Sequence, residues 1–427
     1  MKTVSVMNLG CKVNAYESEA IVQQLEEEGY TRVPFGSQAD LAMIFTCAVT
    51  NEAARKSRQM IHRARRSGCR IVAVAGCYAQ IDPDAVKDAD IVVGSVHKKN
   101  LPGYVHAFER TGERILDVGV LDQEEFEPLS MVRFADRTRA FLKIEDGCNQ
   151  FCSYCVIPYA RGRERSMAPD CVIEEARRIA VHHKEIVLTG IHTGRYGREY
   201  GVSLAGLLRR ILNEVPELER LRISSIEVTE LNEEFLSLME ENPRIARHLH
   251  IPLQSGCDRI LEAMRRPYRT DEFLERITDI RRRMPGISIS TDLIVGFPGE
   301  TDADFEETVS FLKTCAFSFL HVFPFSVRSG TAAEKMDHQI HAEVKKQRAK
   351  ICLNLSEELY DTYKREKIGS QVRVLMERSE NGMSSGHSSE YLEVFLKEEM
   401  EKSTMADALI TGVENHRVYA RRIYEAE

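Results

Sequence analysis

The stretch "GCNQFCSYCVIPYARG" at residues 147–162 sets Cys148, Cys152 and Cys155 in a C-x3-C-x2-C array with no fourth cysteine close behind. A structural zinc site is closed by four Cys or His ligands. The nearest further thiol, Cys171, falls inside a helical pattern and reads as an ordinary buried cysteine. Three thiolates suit an iron-sulfur cube, in which one iron is left open to chelate a small molecule through an amine and a carboxylate. That reading leads, with a degenerate zinc site as the alternative.

A second set of thiols has a different origin. The runs "TVSVMNLGC", "ADLAMIFTC" and "RIVAVAGC" are apolar and strand-like, and each ends in a cysteine: Cys11, Cys47 and Cys77. Helical stretches at about 15–28 and 51–67 join them, so the strands should be parallel. Their carboxyl ends then share one edge, which is where open α/β sheets bind ligands. Cys69 precedes its strand and belongs to the opposite edge, while a fourth run, "ADIVVGS", ends in Ser95. This set also lacks a fourth protein ligand.

The elements that must carry the first array follow from periodicity. After the strand-like "RAFLKIEDG" come "EIVLTG", "RLRISS", "HLHIPL", "SISTDLIVGF" and "FSFLHVFPF", separated by helical patterns at 169–183, 203–214, 231–242, 258–283 and 301–314. Six βα units predict a parallel partial barrel. Loops at the carboxyl ends of such strands build the site, which makes Gly190, Glu227, Gln254, Asp292 and Arg328 candidates. Beyond a helix at 343–366, Gly369 opens short alternating segments that read as a small antiparallel β-barrel. The fold class is α/β, with an open parallel sheet at 1–120, a partial (β/α)6 barrel at 137–368 and a β-barrel at 369–427. Residues 117–136 have no clear period and read as a linker.

Composition bounds the function. A chain of 427 residues, 43% apolar, carries two or three globular domains. It opens without a basic segment leading into a cleavable apolar stretch, and no apolar run is long enough to span a bilayer, so a cytoplasmic, membrane-free protein is expected. Eleven cysteines there imply metal ligands and buried thiols, not disulfides. The net charge of −8 argues against a protein that coats nucleic acid, though not against a local basic patch. Two such patches stand out. Arg55, Arg58 and Arg65, three and then seven residues apart, share one side of a helix near Cys47, and Arg161, Arg163 and Arg165 follow the array.

The array, with Tyr154 before its last cysteine and a strand ahead of it, resembles the radical S-adenosylmethionine superfamily. Together with "LGCKVNAYESE", "TCAVTNEAARKSRQ", "AGCYAQ" and "HIPLQSG", it resembles the methylthiotransferase family over nearly the whole chain. Within that family, Lys12, Val13 and Asn14 after the first cysteine resemble the branch acting on threonylcarbamoyladenosine in tRNA. The isopentenyladenosine branch would usually show Gln-Met there, and the ribosomal-protein branch Pro-Lys-Asn.

The resemblance implies S-adenosylmethionine and two [4Fe-4S] clusters as cofactors, one cluster on Cys148, Cys152 and Cys155, and an auxiliary one on Cys11, Cys47 and Cys77. A methyl group would pass to a sulfur at the auxiliary cluster, and a deoxyadenosyl radical made at the other would abstract the hydrogen at C2 of the adenine. Gly190, Gln254 and Asp292 would lie near S-adenosylmethionine, with the Tyr154 backbone on its adenine. Glu227 and Arg328 join them, although Val228 stands where the family often has proline. The implied partners are a tRNA anticodon stem-loop and an electron donor such as flavodoxin or ferredoxin. The C-terminal barrel resembles the TRAM module, yet residues 369–427 hold seven Lys and Arg against eleven Asp and Glu, a net of −4. Any RNA contact there would need a restricted face with Arg373, Arg417, Arg421 and Arg422, or the module would chiefly cover the site.

Overall fold

The computed structural model describes residues 2–121, 125–131, 133–135 and 137–424. Of the expected linker, residues 122–124, 132 and 136 lie outside the described residues.

The N-terminal part runs β1 (Lys2–Asn8), α1 (Lys12–Glu27), β2 (Tyr30–Val33), β3 (Leu41–Thr46), α2 (Asn51–Arg66), β4 (Ile71–Gly76), α3 (Cys77–Ile81), β5 (Ile91–Val93), α4 (Leu101–Thr111) and β6 (Ile115–Asp117). Its six strands are all parallel in the order β2-β1-β3-β4-β5-β6. Every residue of β3 and β4 is buried, as expected of strands covered by helices on both faces. The edge strands β2 and β6 are too short and too exposed to leave an apolar run, which is why the sequence shows only the central strands. Gly76 turns β4 into α3 at φ +110°. A Cβ there would stand 2.8 Å from the Thr46 carbonyl oxygen, so only glycine delivers Cys77 to the sheet edge.

The central part runs β7 (Arg139–Lys143), β8 (Glu145–Asp146), α5 (Ile157–Arg161), β9 (Arg165–Ser166), α6 (Pro169–Ala180), β10 (Glu185–Thr189), α7 (Leu204–Glu214), β11 (Arg220–Ile223), α8 (Glu233–Glu241) and β12 (His248–His250), then α9 (Asp258–Ala263), α10 (Thr270–Arg283), β13 (Ser288–Val295), α11 (Asp302–Cys315), β14 (Phe319–Pro324) and α12 (Ala342–Glu366). The six barrel strands are parallel and form two triplets, β7-β10-β11 and β12-β13-β14, bridged at Leu221–Ile245. The single helix expected over 258–283 is two, because Arg265 adopts φ +59° and Pro267 cannot continue a helix.

The C-terminal strands β15 (Gln371–Glu380), β16 (Met383–Ser388), β17 (Glu393–Leu396), β18 (Met405–Glu414) and β19 (Arg417–Arg422) close into a barrel in the order β15-β16-β17-β19-β18. The all-antiparallel reading needs one correction: β17 and β19 pair in parallel, since the chain crosses over β18 between them. This barrel does not cover the cysteine array. It plugs the opposite end of the βα barrel, where buried Glu185 holds Arg220 and Arg222 at 2.9 and 2.7 Å. Those arginines in turn donate to the carbonyls of Arg373, His387, Ser388 and Ser389. The Tyr391 ring stacks on His248 with centroids 5.0 Å apart.

Candidate active site

The loop after β8 begins at Gly147 (φ +84°), where a Cβ would stand 1.9 Å from the Arg163 carbonyl oxygen. Backbone bonds then shape it: Cys148 N–H to Gly162 O at 3.1 Å, Cys155 N–H to Cys152 O at 3.0 Å, and Ser153 N–H to Met264 O at 3.1 Å. So held, the half-buried Cys148, Cys152 and Cys155 line one cavity of about 380 Å³. Burial pushes the Cys155 thiol up to about 12 and raises Cys152 as well, against the Arg266 guanidinium that donates Nη1–H to Cys152 Sγ at 3.4 Å. Protons held this firmly leave when a metal takes the thiolates.

Cys148 also belongs to a possible ligand trio with Glu164 and His192. His192 Nδ1 is 3.6 Å from Cys148 Sγ and 3.0 Å from Glu164 Oε1, and its Nε2 is 2.8 Å from Glu230 Oε1. Against its burial, the bonds to Cys148, Glu164 and Glu230 push His192 up to about 12. Both ring nitrogens of His192 are committed to carboxylates, Nδ1 to Glu164 and Nε2 to Glu230. The three cysteines converge on open space, which fits a cluster with a free iron.

Tyr154, Glu227, Gln254, Asp292 and Arg328 line the same cavity. Gly190 does not, although Ile191 and His192 beside it do. A Cβ at Gly190 would meet Glu145 Oε2 at 2.7 Å, the same oxygen that accepts from Ile191 N–H at 2.7 Å and His192 N–H at 2.6 Å. Gly190 thus admits the carboxylate that shapes the loop. In the sequence Glu145 looks like one more strand residue; burial pushes it up to about 8. Asp292 is not beyond its strand but within β13, with its carboxylate 3.2 Å from His250 Nε2. Gln254 (φ +71°) is fixed by its backbone to Asp292 O and Ile294 N–H, both at 2.9 Å. Glu227 pairs with Arg266 and so joins the array from the β11 side. Arg328 crosses to the start of α2 in the N-terminal part and donates to Asn51 Oδ1 at 2.7 Å.

Cys11 directly precedes α1, Cys47 directly follows β3 and Cys77 opens α3, so all three stand at the carboxyl edge of the N-terminal sheet. Val49 and Thr50, just past Cys47, are walls of the cavity that holds the first array. Burial, with the fields of Cys77 and Cys11 adding, pushes the Cys47 thiol up to about 11. Beside Cys77 lies a wholly buried charge network of Glu17 and Asp146 with Arg161, Lys98, Lys143 and Arg165. Its positive groups exceed its negative ones by two, and burial pulls Lys98 below the usual lysine value. Uncompensated positive charge in the interior favours an anion at hand. Three thiolates carrying an iron-sulfur cluster fit that requirement.

The arginines expected to meet RNA divide. Arg161 is completely buried and donates to Asn14, Glu17, Asp146 and Cys77, so the expectation of a phosphate contact is corrected. Arg165 is buried on Asp146. Arg65 is half-buried and bound to Asp90 Oδ1 at 2.7 Å. Arg55, Arg58 and Arg163 are exposed; Arg55 holds Glu52, Arg58 the Tyr78 hydroxyl, and Arg163 lies over the Phe151 ring. In the C-terminal barrel, Arg373 is committed to Glu219, whereas Arg417, Arg421 and Arg422 are exposed. Cys171 is exposed on α6, not buried as its helical setting suggested.

A parallel partial barrel with C-x3-C-x2-C on the loop after its first strand defines a radical S-adenosylmethionine enzyme. The radical SAM superfamily model matches residues 142–312, and that of uncharacterized protein family UPF0004 matches residues 3–96. The threonylcarbamoyladenosine tRNA methylthiotransferase MtaB of Bacillus subtilis is 41% identical over 93% of this chain and 91% of its own, and that of Thermotoga maritima 38% over 92% and 91%. The tRNA-2-methylthio-N(6)-dimethylallyladenosine synthase of Syntrophus aciditrophicus is 33% identical over 88% and 84%. Among solved structures, the radical S-adenosylmethionine methyltransferase TsrM of Kitasatospora setae, with cobalamin and a [4Fe-4S] cluster bound, superposes with a TM-score of 0.59 at 17% identity. It covers 78% of this chain and 77% of that one, a likeness of fold. The chain belongs to the radical S-adenosylmethionine methylthiotransferase family, and S-adenosylmethionine and [4Fe-4S] clusters are its cofactors.

Proposed function

We propose that this enzyme adds a methylthio group to C2 of N6-threonylcarbamoyladenosine beside the anticodon of tRNA, with one [4Fe-4S] cluster on Cys148, Cys152 and Cys155 and an auxiliary one on Cys11, Cys47 and Cys77. The observation that carries the reading is the shared cavity: the first array and the segment after Cys47 face the same space, so a nucleoside held there meets both. When bound, the clusters and S-adenosylmethionine supply the electron, the hydrogen-abstracting radical and the transferable sulfur. The chain's own residues orient and enclose. Gln254, Asp292 and Arg328 offer polar contacts to S-adenosylmethionine, while Ile226, Ile294 and Phe325 keep the wall apolar and dry.

Lys12 favours the threonylcarbamoyl substrate over a dimethylallyl one. Among the described residues its ammonium makes no hydrogen bond or ion pair, and it lies within electrostatic reach of Asp292 and His321 on one side and of Tyr391 and Arg139 on the other. A threonyl carboxylate gives this cation a partner, and a dimethylallyl arm gives it none. Exposed Arg55, Arg58 and Arg163 are the phosphate contacts for the stem-loop, and a flavodoxin- or ferredoxin-type protein supplies electrons. No helix among the described residues is long and apolar enough to cross a membrane; we assign the reaction to the cytoplasm, where tRNA is.

The test is mass spectrometry of nucleosides from total tRNA of cells with and without the gene. Selective loss of 2-methylthio-threonylcarbamoyladenosine is expected. Loss of the methylthio-isopentenyl form would overturn the substrate and keep the chemistry, and an unchanged profile would overturn both.

A further inference from the structure

Arg161 closes α5, directly after the first cysteine array, yet its side chain ends in the other cysteine site. Nε–H donates to Cys77 Sγ at 3.2 Å, Nη1 reaches Glu17 at 3.1 Å and Asp146 at 3.0 Å, and Nη2 reaches Asn14 at 2.5 Å. The guanidinium is fully buried, its planar fork fixed on three sides by acceptors from α1 and β8. Two features of this arrangement bear on a cluster. A donor aimed at a ligating sulfur withdraws electron density from it, and a fixed cation in a dry interior favours the more electron-rich state of whatever the sulfur holds. Arg266 makes the corresponding contact with Cys152, but Glu227 neutralises it at once. Arg161 instead belongs to a network with a positive excess.

Resting on the assignment of an auxiliary cluster to Cys11, Cys47 and Cys77, we infer that Arg161 is a positioning residue which raises the reduction potential of that cluster and ties its thiol edge to the loop carrying the first array. Asp146, the acceptor on Nη1, acts in the opposite sense by offsetting the guanidinium's charge. The auxiliary cluster is thereby set apart electronically from the one at Cys148, Cys152 and Cys155, whose cavity the segment after Cys47 also lines.

The test uses the full chain with Cys148, Cys152 and Cys155 replaced by alanine and its remaining site reconstituted with iron and sulfide. Iron content and a reductive titration followed by electron paramagnetic resonance are read for this parent, for added R161Q and for added D146N. R161Q is expected to shift the midpoint to more negative potential and D146N to more positive. Both changes disturb the same buried network, so mere loosening of the fold would move the two midpoints in one direction, and that result would overturn the inference. An unmoved midpoint with iron retained would overturn it too, leaving the cluster assignment standing. Absence of iron from the parent would overturn the assignment and the inference together.

Discussion

Arg328 Nη1 donates to Asn51 Oδ1 at 2.7 Å across 277 residues of sequence. One end of this bond is the loop after β14 and the other the first turn of α2, just past Cys47, so it ties the two cysteine-bearing parts at the cavity they share. Arg328 is 7% exposed and its Nε has no partner among the described residues, which leaves a donor for a ligand.

Replacing Arg328 by alanine should slow methylthiolation roughly tenfold or more, the scale of a lost charged hydrogen bond. Iron content and circular dichroism should stay unchanged. Turnover on an anticodon stem-loop RNA checks this, and R328K should recover part of the rate.

Lys12→Met should raise KM for a stem-loop bearing threonylcarbamoyladenosine by roughly tenfold, with a smaller change in kcat, because a carboxylate loses its cation. The same variant should treat an isopentenyladenosine stem-loop no worse than the wild type does. A parallel loss on both RNAs would assign Lys12 to the fold or the cofactor.

Binding of tRNA by Arg55→Ala, Arg58→Ala or Arg163→Ala should show a shallower dependence on salt, each lost phosphate contact lowering the logarithmic slope by roughly 0.7–0.9. Arg65→Ala should leave that slope alone and lower thermal stability, since Arg65 serves Asp90. Fluorescence titrations at several salt concentrations separate these outcomes.

Glu185 is held at about 2 by Arg222 and Arg220, against burial that pushes the other way. A depressed carboxyl contributes stability that is fully present above its unfolded value near 4.5 and is lost as pH falls towards 2. The shift corresponds to about 3 kcal/mol. Urea midpoints should therefore fall along that acid limb in the wild type, and Glu185→Gln should lower stability at neutral pH by roughly 3–5 kcal/mol by stranding two buried arginines. A neutral-pH stability equal to the wild type's would refute this.

Iron analysis separates the cysteines. Cys47→Ser should lose the iron of one site, whereas Cys171→Ser and Cys69→Ser should lose none, since the first is exposed on α6 and the second lies before β4, away from the edge.

Local pattern determined much of this protein by itself. Cysteine at the end of each of three apolar runs needs only parallel strands to reach one sheet edge, and C-x3-C-x2-C reads as a ligand pattern from its spacing alone. The six barrel strands were equally legible as apolar runs: β10 is buried throughout, as a strand between helices should be, while β14 keeps its run although it is largely exposed. What remained hidden depends on contacts between distant segments. Arg161 lies in a basic stretch that reads as surface, and only the meeting of α5 with α1 and Cys77 makes it a buried hub. Glu145 is indistinguishable from its neighbours until Gly190 admits its carboxylate beneath the loop. The placement of the C-terminal barrel opposite the cavity, with Tyr391 on His248, was likewise decided by buried arginines seeking main-chain carbonyls. Periodicity records which side of an element is buried; charge pairing across the interior exists only once the elements have met.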